Sequence, residues 1–261
     1  MFFVYGIYST CSVAVSTDGC YPIIDHMLTC QCQIKINRNA HMLIKGFRAV
    51  LPVLGGRIFT NQSRCQQFSE CKTMAKKACV FLAPGAEEME FTITADILVR
   101  GGIQVTVAGL PDDSVVECSR GINIKPTVAI ANAKSGGPYD VLVLPGGLGG
   151  SKALASSKEV GEMLKEQEQT GRLIAAICAA PTALKAHGIA VGKKVTSYPS
   201  MKAQMEEGGQ YTYLEDKVVI DGNIITSRGP GTAFEFGLAL VEKLVGKEKK
   251  NEVAKGLLLS C

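Results

Sequence analysis

Residues 173–181, LIAAICAAP, set one cysteine, Cys178, among alanines at the point where an apolar run meets a proline. Two chemistries are open to it. A free cysteine is among the most buried side chains and can serve as a small hydrophobe. A cysteine at a sharp strand-to-helix turn is a nucleophile held out on an elbow, and that turn tolerates only small neighbours because a larger side chain would strike the adjacent backbone. Ala176 and Ala180, two residues to either side, suit the elbow. It would also set the sulfur at a helix N-terminus, where the dipole and free N–H groups are expected to stabilise the thiolate and lower its pKa.

Such a nucleophile needs somewhere to put its proton. The body of the chain contains only His187, nine residues beyond Cys178, which along one helix is roughly 13 Å away. That is outside hydrogen-bond reach, and His187 is expected on the helix surface. Carboxyl groups are better partners. Glu87, Glu88 and Glu90 of GAEEME fall in the first turns of a predicted helix, where negative charge complements the dipole and all three could simply be solvated. One turned inward, in a partly apolar pocket beside a thiolate, would have its pKa raised and hold a proton at neutral pH. On the residues alone the three are equivalent. Gly146 and Gly147 in LPGG would let the backbone approach a ligand and aim N–H groups at an oxyanion, or would only turn the chain from strand into helix. GGLGG lacks the GxGxxG spacing and no phosphate-loop lysine follows it, so no nucleotide cofactor is expected.

Alternating strand and helix patterns must position these groups. KKACVFLAPG reads as a strand ending at Pro84-Gly85; AEEMEFTITADILVRGG, with Met89, Ile93 and Ile97 at four-residue spacing, as a helix; IQVTVAGL as a second strand. Residues 115–125 read as a hairpin turning at Arg120-Gly121, and YDVLVLPGG as a third buried strand. SKEVGEMLKEQEQTG is a helix with Ser157 as its N-cap and a glycine at its end, followed by the strand RLIAAI. Beyond Cys178 come a helix to about His187, a strand in KKVTSY, a helix near 200–207, a hairpin turning at Asp221-Gly222 and helices after Pro230. Near-continuous apolar strands between amphipathic helices imply an α/β fold with a mostly parallel sheet covered on both faces. Ligands of such sheets sit beyond the carboxyl ends of the strands, where APGAEEME, LPGGLGG and AICAAP all fall.

Composition narrows the function classes. The 261 residues are 46% apolar and 20% charged, a globular balance without an apolar run of membrane-spanning length. Residues 1–73 hold seven Lys or Arg against three Asp or Glu, and the rest hold 21 of each, so the whole net charge of +4 lies in the first segment. A neutral body argues against phosphate-driven nucleic-acid binding. Cys79, Cys118, Cys178 and Cys261 show no paired spacing, the pattern of a reduced, cytoplasmic protein. Cys30 and Cys32 with His26 or His41 match no familiar zinc spacing, and no metal is expected. Residues 1–73 lack sustained periodicity and read as an extension. From Met42, with Lys45, Arg48, Arg57 and Arg64 and no acid before Glu70, the composition is that of a mitochondrial presequence or of a disordered segment. The globular domain is expected over 74–261.

Read in order at their spacings, LAPGAEEME, VTVAGL, ECSR, GPYDVLVLPGG, LKEQE, LIAAICAAPTAL, GGQYTY and ITSRGPGT, then FEF after Ala233, resemble the deglycases of the ThiJ/PfpI superfamily over residues 74–261. The resemblance implies a flavodoxin-like three-layer α/β sandwich that forms a homodimer. It sets the nucleophile on Cys178, its contacting glutamate on Glu90 and the oxyanion donors on Gly147 and Ala179, with Gly146 alongside and Arg120 and Arg228 at basic positions near the site. The implied activities are glutathione-independent glyoxalase and deglycase chemistry on methylglyoxal and glyoxal adducts of proteins or nucleotides, chaperone activity, and a response to oxidative stress in cytoplasm, nucleus or mitochondrion. The alternative is a non-catalytic redox sensor or chaperone signalling through oxidation of Cys178. Cys118 matches a family cysteine, with either a redox or a structural part. Two positions depart from the pattern: Tyr198 in VTSYPS stands where relatives carry a histidine, and Lys125 where close relatives carry a cysteine.

Overall fold

The computed structural model describes residues 75–259. The presequence-like segment, the cysteines and histidines before it, Met74 and Cys261 lie outside the described residues. The chain runs β1 (Lys77–Leu82), α1 (Glu88–Arg100), β2 (Gln104–Gly109), β3 (Val116–Glu117), β4 (Asn123–Ile124), β5 (Val128–Ala129), α2 (Ile130–Ser135), β6 (Val141–Leu144), α3 (Leu148–Ser156), α4 (Lys158–Gln169) and β7 (Leu173–Ile177). It continues through α5 (Pro181–Ala186), β8 (Lys194–Val195), α6 (Lys202–Glu206), β9 (Thr212–Tyr213), β10 (Val218–Asp221), β11 (Ile224–Ser227), α7 (Ala233–Val245) and α8 (Lys247–Gly256).

Seven strands form one sheet in the order β10-β11-β7-β6-β1-β2-β5, parallel throughout except for the β10–β11 hairpin. This is the flavodoxin-like order over β2-β1-β6-β7-β11, with the short parallel β5 added at one edge and the antiparallel β10 at the other. Every residue of VLVL in β6 and LIAAI in β7 is buried, because helices cover both faces and neither strand has a solvent side. Ala78, Val80 and Leu82 of β1 pack toward Phe91, Ile97 and Leu98 of α1 and Phe236, Leu240 and Val241 of α7. Cys79 and Phe81 point the other way, toward Leu154 of α3, Val160 and Leu164 of α4, and Leu184 of α5. The three expected layers are therefore present.

From β1 the chain winds outward through β2 to β5, then returns to β6 on the other side of β1 and winds the opposite way through β7 and β11. The winding reverses between β1 and β6, so the loops leaving those two strands part and open a crevice beyond their carboxyl ends.

Several elements differ from their sequence expectation. The buried face of α1 is Glu88, Glu90, Phe91, Thr94, Ile97 and Leu98, whereas Met89 is 52% exposed. The buried apolar stripe starts at Phe91, two residues after Met89, because the carboxylates of Glu88 and Glu90 occupy the inward positions of the first turn. The segment LGGSKALAS, to which the sequence assigned no element, forms α3 directly after the Gly146-Gly147 turn although glycine has poor helix propensity. There the missing side chains permit contact: a Cβ on Gly150 would lie 2.8 Å from Ala86 Cα. The β10–β11 turn is Gly222-Asn223 rather than Asp221-Gly222, with Asp221 still paired to Ile224 and its carboxylate accepting the Lys194 N–H at 2.9 Å. The strand expected in KKVTSY shrinks to β8, which pairs with β9 in a separate small sheet. Among the described residues no helix is long and apolar enough to cross a membrane.

Candidate active site

β7 ends at Ile177 and α5 begins at Pro181, and between them Cys178 adopts φ 64°. A left-handed conformation in a non-glycine residue costs on the order of 1–3 kcal/mol and persists only where the surroundings impose it. Two contacts impose it here. The Cys178 N–H donates to the Ser227 carbonyl at 3.0 Å, and its own carbonyl accepts the Tyr198 N–H at 2.8 Å. The small flanks fit closely: Ala179 is 3% exposed and Ala180 fully buried.

The three acids of GAEEME are all buried, each with a different task. Glu87 is the N-cap of α1 and accepts the Glu90 N–H at 2.8 Å. Glu88 accepts the Ser119 hydroxyl and the Arg120 N–H, both at 2.8 Å, and so ties the β3–β4 turn to the start of α1. Burial works to raise the Glu88 pKa, but hydrogen bonds from its own N–H, Ser119 and Arg120 outweigh it and hold the carboxylate below its ordinary value. Glu90 is fully buried and accepts the Gly146 N–H at 2.9 Å.

Glu90 and Cys178 are electrostatic neighbours across Gly146, and Glu90 Oε1 is buried without a hydrogen-bond partner. Burial pushes the Glu90 carboxyl up to about 7, assisted by the charge of Glu87 and opposed by the Cys178 thiol and the Gly146 N–H. Burial also pushes the Cys178 thiol up to about 12, together with the Glu90 charge and against the N–H groups of Gly147 and Ala179 that point at the sulfur. The expected lowering at a helix N-terminus is thus reversed while Glu90 is ionised, because desolvation and a neighbouring anion outweigh two N–H donors. Once Glu90 carries a proton its repulsion is gone. With the thiol well above the carboxyl, Glu90 ionises first and can act as the base that takes the Cys178 proton.

Gly146 is required sterically. A Cβ there would lie 2.5 Å from Cys178 Cβ and 2.6 Å from Glu90 Oε2. Gly147, at φ +82°, lies so close to the first loop that its Cβ would fall 2.3 Å from the Gly85 carbonyl oxygen. Gly146→Ala is therefore expected to cost about 1–3 kcal/mol through overpacking and to push Glu90 away from the sulfur. Urea unfolding measures the first effect, and slowed alkylation of Cys178 by iodoacetamide the second. Unchanged values for both would contradict this packing.

A pocket of about 510 Å³ opens above these groups, lined among others by Cys178, Ala179, Gly147, Arg120, Leu148 and Tyr198. A cavity of similar size, about 520 Å³, lies against Pro84, Leu110, Pro111 and Ile130 but holds no cysteine or histidine. The nucleophile decides between them. Among the described residues no cluster of three or more His, Cys, Asp or Glu could hold a metal.

The other candidate residues divide. Arg120 lines the pocket, whereas the Arg228 guanidinium donates to the Glu215 carbonyl at 2.7 Å and is absent from the pocket wall. Cys118 is a buried residue of the β3–β4 turn itself, and burial, then the charges of Glu88 and Glu87, raise its pKa. His187 is not the surface residue expected. It is half-buried, its Nε2 lies 2.9 Å from the Leu154 carbonyl, and its ring occupies the space left by Gly161. Sequence reasoning missed Glu88 as the anchor of the turn and Ser227 as a clamp on the elbow, since both parts depend on contacts between distant segments. Leu148 was missed too, though its place directly after the two glycines was a usable signal.

Residues 76–243 match the DJ-1/PfpI family. Protein dj-1beta of Drosophila melanogaster is 59% identical over 188 residues, covering 72% of this chain and 99% of that protein. Glutathione-independent glyoxalase DJR-1.2 of Caenorhabditis elegans is 50% identical over 186 residues, covering 71% and 97%. The crystal structure of Drosophila melanogaster DJ-1beta superposes with a TM-score of 0.70, covering 72% of this chain and all of that one.

Proposed function

This chain belongs to the DJ-1/PfpI family, and on that premise we propose that it is a glutathione-independent glyoxalase and deglycase that uses Cys178 as nucleophile and Glu90 as proton carrier. The observation that carries the reading is the pairing of a fully buried Glu90 with a strained cysteine at the floor of a pocket. The relative DJR-1.2 bears the name of that activity.

The chemistry balances with water as the sole co-reactant. The Cys178 thiolate adds to the aldehyde carbon of methylglyoxal, forming a C–S bond, and the proton held by Glu90 passes to the new alkoxide. The Gly147 and Ala179 N–H groups, which help to lower the sulfur's pKa, would hold the oxygen as it develops charge. The Glu90 carboxylate next takes the hydrogen from the former aldehyde carbon and returns one to the neighbouring carbon, converting the hemithioacetal into a thioester. Water then cleaves the C–S bond, releasing lactate and restoring the thiol. In an early adduct on a protein or nucleotide amine, the same attack on the carbon bearing nitrogen would expel the amine.

Purified protein incubated with methylglyoxal and no thiol cofactor is expected to release lactate stoichiometrically, with a substrate adduct trapped by acid quench on the peptide containing Cys178. Absence of lactate from protein whose Cys178 still reacts with iodoacetamide would overturn the reading and favour a redox sensor.

A further inference from the structure

Free methylglyoxal underfills this pocket. At about 30 Å³ for each water-sized group, its five heavy atoms take up on the order of 150 Å³, against about 510 Å³ available. The surplus is not uniformly polar. Leu148, Tyr198 and Pro230 supply apolar surface to the pocket that holds the nucleophile, and both Leu148 and Tyr198 keep large exposed areas.

Tyr198 is held in register with the nucleophile. Its N–H donates to the Cys178 carbonyl at 2.8 Å, and its carbonyl accepts the Met201 N–H at 2.8 Å in the turn begun by Pro199. One edge of the ring rests on the backbone of Gly229, where a Cβ would lie 3.2 Å from Cδ2 and 3.6 Å from Cε2. The main-chain bonds thus fix the residue and Gly229 backs one edge of its ring, which lines the pocket. A ring fixed in this way is a platform: it loses little freedom on binding, and an aromatic or extended apolar group packed against it gains contact beyond simple area burial.

We infer that Tyr198 is a specificity-determining residue that selects α-oxoaldehydes, free or as adducts, whose second substituent is aromatic or extended and apolar. That substituent packs against Tyr198 and Leu148 while the aldehyde carbon stands over Cys178. The inference rests on the glyoxalase reading above and adds the substrate class.

The test compares initial rates on phenylglyoxal and methylglyoxal, followed as mandelate and lactate. Wild type is expected to show a higher kcat/KM for phenylglyoxal. Tyr198→Ala is expected to lower the phenylglyoxal-to-methylglyoxal ratio of kcat/KM about tenfold, with the change carried by KM for phenylglyoxal. Tyr198→Phe is expected to retain the ratio, since the ring and not the hydroxyl does the packing. Leu148→Ala supplies an independent reduction in the same direction should Tyr198→Ala fold poorly. A wild-type preference for methylglyoxal, a ratio unmoved by both truncations, or a Phe variant as impaired as the Ala variant would overturn the inference while leaving the glyoxalase reading standing. No turnover of either substrate would remove the glyoxalase reading itself, and the inference with it.

Discussion

Cys178→Ala is expected to lower kcat/KM for methylglyoxal by on the order of 10³-fold or more, the scale seen when a covalent nucleophile is removed, while changing stability by no more than about 1 kcal/mol. The two effects separate for a physical reason. Alanine at φ 64° bears the same steric cost as cysteine, and the clamps from Ser227 and Tyr198 use backbone atoms that the substitution leaves in place. Only one small sulfur's burial is lost. Cys178→Gly gives an internal check on the strain. Glycine is relieved of the left-handed cost of about 1–2 kcal/mol but loses more chain entropy on folding, so it should be at least as stable as the Ala variant and equally inactive. Lactate assays and thermal melts on the two variants decide this. Wild-type turnover by Cys178→Ala would refute the nucleophile assignment.

Glu90→Gln is expected to reduce kcat by about 10²–10⁴-fold, the usual contribution of a positioned acid–base group, and to remove a pH step. Below about 7 both Glu90 and Cys178 hold protons; above it Glu90 is ionised while the thiol keeps its proton. The carboxylate is then free to take the thiol's proton as sulfur attacks, so wild-type turnover should rise through pH 7 and then level off. The glutamine variant should lack this inflection. Stability carries the same signature with the opposite slope. The Glu90 pKa is raised on folding from 4.5 to about 7, so between those values the unfolded chain gives up a proton that the folded one keeps, and stability is lost as pH rises. Measured against Glu90→Gln, which has no proton to lose, wild type should weaken by on the order of 3 kcal/mol between pH 4.5 and 8. A constant difference across that range would show that Glu90 titrates normally.

Much of the scaffold was legible because β6 and β7 are buried on both faces and must be apolar throughout. Helix α4 announced itself by Ser157, whose hydroxyl accepts the Val160 N–H at 3.3 Å. Helix α3 was illegible because its glycines answer to a backbone-to-backbone contact with Gly85 and Ala86 that no local propensity encodes. The site was legible in kind but not in detail. An acid among Glu87, Glu88 and Glu90 was the natural partner for Cys178, but choosing Glu90 from the residues requires knowing that Glu88 faces the β3–β4 turn. That turn lies some thirty residues further along the chain. The thiol pKa was misjudged because the helix N-terminus is visible in a sequence, whereas desolvation depends on everything packed around the sulfur. The Arg228 guanidinium is held away from the pocket by the Glu215 carbonyl, a contact across the β10–β11 hairpin that single-chain spacing does not reveal.

The pocket is bounded by loops drawn from every part of the described chain: the turn after β1, the β3–β4 turn, the glycines after β6, the elbow after β7, the Tyr198 segment and the start of the turn at Pro230. None of these neighbours is supplied by an adjacent stretch, so no fragment of the domain could assemble half of the reaction. Turnover is therefore a census: it counts molecules in which every sheet crossing has been completed. A destabilised variant should lose activity in proportion to the molecules it leaves unfinished, with the folded remainder working at full rate.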